Sequence, residues 1–324
     1  MSDAALAPMP KPWRPRLALL ALALIAVIAL AMLWGGVPKG FILELRLKKT
    51  IAMLTVGAAL GVATILFQTI SNNRILTPSI MGFDALYVLI QTALVASLGA
   101  TSFTTLPPVA KFIGETALMT LAAGLLFGTL LGKGQRDLHR MILTGFVLAL
   151  FFRALSQFLS RILSPNDFIV TQYASVASFN QIEAELLLPT VIITLLACGF
   201  ALRRASQFDV MQLGRDPAVS LGLSYERLLF EALAIIALLV ATATALVGPV
   251  TFFGLIVASL AYSVAPMARH RQTLIAAALL GGMILLIGQI LFERIMGQAG
   301  TLAIVIEFIG GLLFLWLLLR GHLK

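Results

Sequence analysis

The sequence predicts an all-α membrane protein with about ten transmembrane helices, and three observations predict it. Of 324 residues, 60% are apolar and only 11% charged, against roughly 45–50% and about 25% in ordinary globular domains. The apolar residues gather into runs with few or no charges, close to the ~20 residues that cross a bilayer. The basic residues fall between those runs, so the net charge of +9 reads as a topology signal and no nucleic-acid partner is expected.

The elements follow in order. Residues 1–15, with Pro8, Pro10, Pro12 and Pro15, read as a disordered tail. Residues 17–38 and 50–73 carry no charge, and each is long enough to span. The first is too long for a cleavable signal and runs into Trp34-Gly35-Gly36 without a cleavage pattern. Further spans are expected at 79–98, 112–132, 141–162 and 186–202. Residues 232–268 are charge-free for 37 positions, and a straight helix of that length would measure about 55 Å against a hydrocarbon core of about 30 Å. Gly248-Pro249 near its middle supplies the break, giving spans at 228–247 and 250–265. Spans at 273–292 and 301–319 complete ten, within a permease-sized unit of 16–321 and a tail of 322–324.

Ten spans put both termini on one side. Fifteen basic residues share that side and seven lie opposite, with Arg153 inside a span, so the termini are expected in the cytoplasm. Arg46, Lys48 and Lys49 cluster on the disfavoured side. They either anchor a helix end at the headgroups or await an acidic partner.

Two connections are long. The outer one, 163–185, reads as a short surface helix or loop. The inner one, RRASQFDVMQLGRDPAVSLGLSYER at 203–227, reads as two short helices joined by a glycine turn, with Asp216 as N-cap and Pro217 in the first helical position. Such a segment is either a docking element for a soluble partner or a membrane-skimming linker.

No catalytic constellation is present in the sequence. His139, His270 and His322 form no ligand pair at helical spacing, no Gly-rich loop with Lys is present for ATP, and Cys198 stands alone. No cofactor or metal is expected on this chain. The ionisable residues within spans are Asp84, Glu115, Arg153, Glu231 and Glu307. Such residues are costly in lipid; Asp84, Glu115 and Glu231 lie near helix starts, leaving Arg153 and Glu307 as the deeper pair. Gln68, Gln91, Asn72 and Asn73 are either packing contacts or pore lining.

Four motifs then resemble a known family. The run RLKKTIAMLTVGAALGVATILFQTISNNRILTPSIMG at 46–82 is similar to the signature second span of the iron-siderophore and vitamin B12 permeases of ATP-binding-cassette importers. Arg46, Gly57-Ala58-Ala59-Leu60, Gln68, Asn73, Pro78 and Gly82 carry the match. LGRDPAVSLGL at 213–223 resembles the family's cytoplasmic coupling segment, GPVTFFGLIVASLAYSV at 248–264 its Gly-Pro-x-x-Phe-x-Gly-Leu motif, and IEFIGGLLFLWLLLRG at 306–321 its last span. Lys48, Arg74 and Ala258-Ser259 depart from the common pattern. With GQILFERI at 288–295 and FIGG at 308–311, these departures look like the branch that handles iron-catecholate siderophores of the enterobactin, vibriobactin and petrobactin kind.

The resemblance implies a type II ABC importer permease fold in the bacterial inner membrane. It implies alternating access for ferric siderophore, a second and different permease as partner, two ATPase subunits that use the ATP, and a periplasmic binding protein. It implies binding-protein docking at Arg46, Lys49 and Arg294. ATPase contact is implied at Leu213, Gly214, Arg215, Asp216, Pro217, Ala218, Leu221, Gly222 and Leu223. A pathway or gate is implied at Gln68, Asn72, Asn73, Gly248, Pro249 and Gly254. The chain itself is expected to be no enzyme. An ion-coupled secondary transporter, with Gly248-Pro249 as the broken helix at its ion site, and a membrane-embedded enzyme are the rival readings.

Overall fold

A computed structural model of the chain describes residues 13–33, 40–132, 138–265, 269–294 and 301–319, without the side chains of 13, 14, 80, 126–132, 138–142, 294, 317 and 318. Among the described residues there are thirteen α-helices and no strand. Ten correspond to the expected spans: α1 Trp13–Leu33, α2 Phe41–Ser71, α3 Phe83–Thr104, α4 Pro108–Gly132, α5 Leu138–Ser160, α7 Ala184–Arg203, α10 Tyr225–Val247, α11 Phe253–Val264, α12 His270–Arg294 and α13 Leu302–Leu319. The remaining three are short. α6 Pro165–Ala174 occupies the 163–185 connection, and α8 Ala205–Met211 with α9 Arg215–Ser220 occupies the 203–227 connection.

Seven of these helices are long and apolar enough to cross a membrane. α11 corrects one expectation. Its 12 residues reach only about 18 Å, so this segment is a half-span preceded by the non-helical stretch Gly248–Phe252. Gly248 at φ +95° opens that stretch and Phe252 at φ +59° closes it. A 3-10 turn, Pro78–Met81, similarly precedes α3, which is kinked at Gly99 (φ +78°, ψ 159°). The kink frees the amide of Ala100, and Asp167 of α6 takes it at 2.7 Å. Ser164 and Asp167 also bond reciprocally at the start of α6, a capping box. These donors hold the Asp167 carboxyl below the usual carboxylate range, Ser164 contributing most.

The centre of the bundle is α2 against α12. Lipid offers apolar helices no hydrophobic drive to associate, so close backbone approach through small residues does the work. Gly57 and Gly61 on α2 face Ala277, Gly281 and Gly282 on α12. A Cβ on Gly57 would stand 2.3 Å from the Gly281 carbonyl carbon, and one on Gly281 would stand 2.1 Å from the Gly57 oxygen. A leucine at 281 therefore has to part the two helices, at a cost of about 3 kcal/mol or more. Gly281→Leu is expected to lower the melting temperature and the membrane level of the protein. Gly199→Leu, at a glycine with open space around it, is expected to change neither, and comparison of the two by thermal unfolding in detergent checks the claim.

Candidate functional site

At one end of the bundle stand α8 and α9. α8 is anchored by Phe208 and Met211, both buried. α9 buries Ala218 and leaves its flanks out, with Leu213 61% and Leu221 67% exposed. Apolar side chains held into solvent beside buried anchors suit a surface that another chain covers. The start of α9 corrects the expectation from sequence. The N-cap is Gly214 at φ +98°, and Asp216 and Pro217 are the second and third helical residues. The chain must reverse between α8 and α9 with a positive φ, which glycine adopts freely, and that need outweighs the local preference for an aspartate cap. The amide of Ala218 returns to the Gly214 carbonyl at 3.2 Å, and Gly222 at φ +84° turns the chain away after α9. Arg215 reaches Glu226 in the first turn of α10 at 2.9 Å. Arg204 at the end of α7 and Arg227 grip Glu231 of α10 at 3.2 and 3.1 Å.

At the opposite end the basic cluster is braced within the chain. The Arg46 guanidinium donates to the Met32 carbonyl at the end of α1. Lys48 pairs with Glu44 at 2.6 Å, and Lys49 pairs with Glu293 of α12 at 2.5 Å. Gln289 donates to the same carboxylate at 2.7 Å. Arg46, Lys49, Gln289 and Glu293 line a cavity of about 210 Å³ between α1, α2 and α12. The Arg294 side chain lies outside the described residues. The Lys49 partner is thus in the chain itself, 244 positions away, a distance no spacing rule could bridge.

The intramembrane charges differ in their burial within the chain. Asp84 and Glu115 are buried, at 7% and 3% exposure, whereas Arg153 on α5 and Glu307 on α13 are exposed. Asp84 accepts a hydrogen bond from Thr251 in the α10–α11 break at 3.1 Å. Glu115 accepts one from Gln91 at 2.6 Å, with Lys111 3.8 Å away. Buried carboxylates are tolerable when so partnered. Glu231, clasped by its two arginines, sits in the second turn of α10.

The six residues read as pathway or gate divide into two groups. Gln68 is buried and donates to the Arg74 carbonyl at 2.6 Å. Asn72 caps α2 in the left-handed conformation, and Asn73 accepts the amide of Ile75 at 2.9 Å. Gly248, Pro249 and Gly254 frame the α10–α11 break. A Cβ on Gly248 would stand 2.8 Å from the Ala177 Cα, and one on Gly254 2.0 Å from the Thr64 hydroxyl. Gln68, Gly248, Pro249 and Gly254 are buried within the chain.

Sequence reasoning missed one constellation altogether. His270 is 6% exposed, its Nδ1 lies 2.7 Å from Asp209 Oδ1 and its Nε2 2.8 Å from the Thr69 hydroxyl. Sixty-one and 201 positions separate the partners, so the sequence carries no local signal of it. Among the described residues, no group of three His, Cys, Asp or Glu side chains is placed to hold a metal ion.

Helices long and apolar enough to cross a membrane, one broken span and a two-helix segment at one end describe a polytopic membrane protein, and the family match makes it a permease subunit. Residues 16–320 match the FecCD transport family, and the chain belongs to it. It is 36% identical over 282 residues to the petrobactin import system permease protein YclO of Bacillus subtilis, covering 87% of this chain and 90% of that one. It is 29% identical over 313 residues to the petrobactin import system permease protein FatC of Bacillus anthracis, covering 95% and 88%. A solved metal-chelate type ABC transporter in an inward-facing conformation shares the fold, with a TM-score of 0.83 at 21% identity over 95% of this chain and 100% of that one. The chain is a transport subunit and not an enzyme.

Proposed function

We propose that this chain carries ferric siderophore of the catecholate kind through the bacterial inner membrane by alternating access, both termini in the cytoplasm. It works with a second, different permease, two ATPase subunits and a periplasmic binding protein. It binds no cofactor of its own, ATP being used by the ATPase subunits. The observation that carries the substrate class is the match along most of the chain to two permeases named for petrobactin import. α8 and α9 then face the cytoplasm, where Leu213 to Leu223 meet the ATPase. Arg46, Lys49 and Arg294 face the periplasm and receive acidic residues of the binding protein. The exposed Arg153 and Glu307 support placing α5 and α13 against the second permease, since a charge is expensive against lipid and tolerable at a polar lumen. The broken segment Gly248 to Gly254 and the turn after α2, with Gln68, Asn72 and Asn73, shape the gate. The binding protein, the siderophore and ATP move the switch only through their differential affinity for its two states.

The test is uptake of radiolabelled ferric petrobactin by cells lacking this chain, with and without the chain restored. ATP is depleted while the proton gradient is maintained. Restored uptake is expected to vanish with ATP alone. Uptake that survives ATP loss and collapses with the gradient makes the chain a secondary transporter instead.

A further inference from the structure

We propose that Asp209, His270 and Thr69 are positioning residues that pass movement of α8 to α2 and α12. The proposal rests on 203–227 being the segment that meets the ATPase.

Asp209 stands on α8 and His270 is the first residue of α12. The first amides of a helix have no partner within it, and here the His270 amide donates to Asp209 Oδ1 at 2.7 Å. α8 therefore caps α12 from outside. The imidazole binds the same oxygen through Nδ1 at 2.7 Å. A carboxylate has no proton to give, so Nδ1 carries it. The other ring nitrogen meets the Thr69 hydroxyl at 2.8 Å, and that hydroxyl is also within 2.8 Å of the Ile65 carbonyl on α2. One imidazole thus spans from the inner segment to the last turn of α2. His270 and Thr69 are nearly fully buried, and Phe208 of α8, wholly buried, places its ring 6.3 Å from that of His270. In low-dielectric surroundings such a network tolerates little change of geometry.

Two further features make this a transmission point rather than a local brace. First, α2 and α12 are in backbone contact at Gly57 and Gly281, so a displacement delivered at His270 moves both. Second, α9 is tied elsewhere. Arg215 joins it to Glu226 of α10, and glycines at φ +98° and +84° flank it. The inner segment therefore has two arms, α8 on the α2/α12 pair and α9 on α10, with Gly214 between them. Movement imposed on the segment is divided between two helix groups, and the Asp209–His270–Thr69 chain carries the share that goes to α2 and α12.

The test uses the complete importer, both permeases with ATPase subunits and binding protein, in proteoliposomes. Ferric petrobactin transported and ATP hydrolysed are measured in the same vesicles, and the ATPase subunit that co-purifies is quantified. Thr69→Val removes the hydroxyl at nearly constant shape, and Asp209→Ala removes the trans cap. Both are expected to lower transport per ATP about fivefold or more, within the usual range for coupling between sites, with ATPase association unchanged. Thr69→Ser, which keeps the hydroxyl, is expected to hold the wild-type ratio. An unchanged ratio in Thr69→Val and Asp209→Ala overturns the proposal, as does a fall of both rates at constant ratio, which a merely structural support would give. Failure of the underlying reading is separate: it shows as undiminished ATPase association in Leu221→Asp.

Discussion

Gly222→Pro is expected to stop ATP-driven uptake while leaving the subunit in the membrane. Gly222 sits at φ +84°, which proline, fixed near −65°, cannot adopt. Its amide donates to the Val219 carbonyl at 2.9 Å, and proline has no amide proton. A misplaced proline costs about 3 kcal/mol, roughly a hundredfold in the population of the native turn. The loss is confined to the α9 turn, because Gly222 is exposed and nothing stands within 4 Å of where its Cβ would be. Uptake of labelled ferric petrobactin is expected to fall at least about tenfold at equal membrane level, in keeping with that shift in population. Gly222→Ala, which meets only the left-handed penalty of about 1–2 kcal/mol, is expected to fall between. Leu221→Asp reaches the same result by another route, since it changes an apolar side chain that is 67% exposed and leaves the backbone alone. Wild-type uptake in Gly222→Pro and Leu221→Asp would mean that α9 does not carry the ATPase contact.

The ten-helix plan is legible because lipid imposes one requirement on every span, a predominantly apolar run of sufficient length. Helices α8 and α9 are legible for a local reason, the apolar residues and glycines around Asp216-Pro217. Even there the cap was misassigned, since local preference names Asp216 while the reversal of the chain after α8 demands Gly214 at positive φ. The half-span α11 shows a second limit. Hydropathy reports that 250–265 is apolar and says nothing of where its helix begins, which is Phe253, after Thr251 has turned aside to bond Asp84. The pairs that assemble the ends, Lys49 with Glu293 and Asp209 with His270 and Thr69, depend on which helices become neighbours. The glycines at 57 and 281 decide that for α2 and α12, and nothing near either lysine or histidine in the sequence announces it.

Arg46→Glu combined with Arg294→Glu is expected to lower uptake about tenfold when loaded binding protein is limiting, and far less when it saturates. One exposed ion pair contributes only about 0.2–1 kcal/mol. Reversal does more than remove two pairs, because it sets like charges face to face, at a cost of several kcal/mol in a docked interface, and reverses the field that steers encounter. Arg46 suits the role: its guanidinium is tethered to the Met32 carbonyl, so little ordering is needed on docking. Lys49 is the wrong residue to reverse. Its carboxylate partner Glu293 stands 2.5 Å away, and a glutamate at 49 would set two carboxylates against each other across α2 and α12, confusing docking with folding. Salt separates steering from damage. With a Debye length of about 10 Å at 0.1 M, added salt is expected to slow uptake by the wild-type importer and, by screening the new repulsion, to raise uptake by the doubly reversed one. Unchanged uptake by the double variant at limiting substrate would remove both arginines from docking and return Arg46 to the role of an anchor at the headgroups.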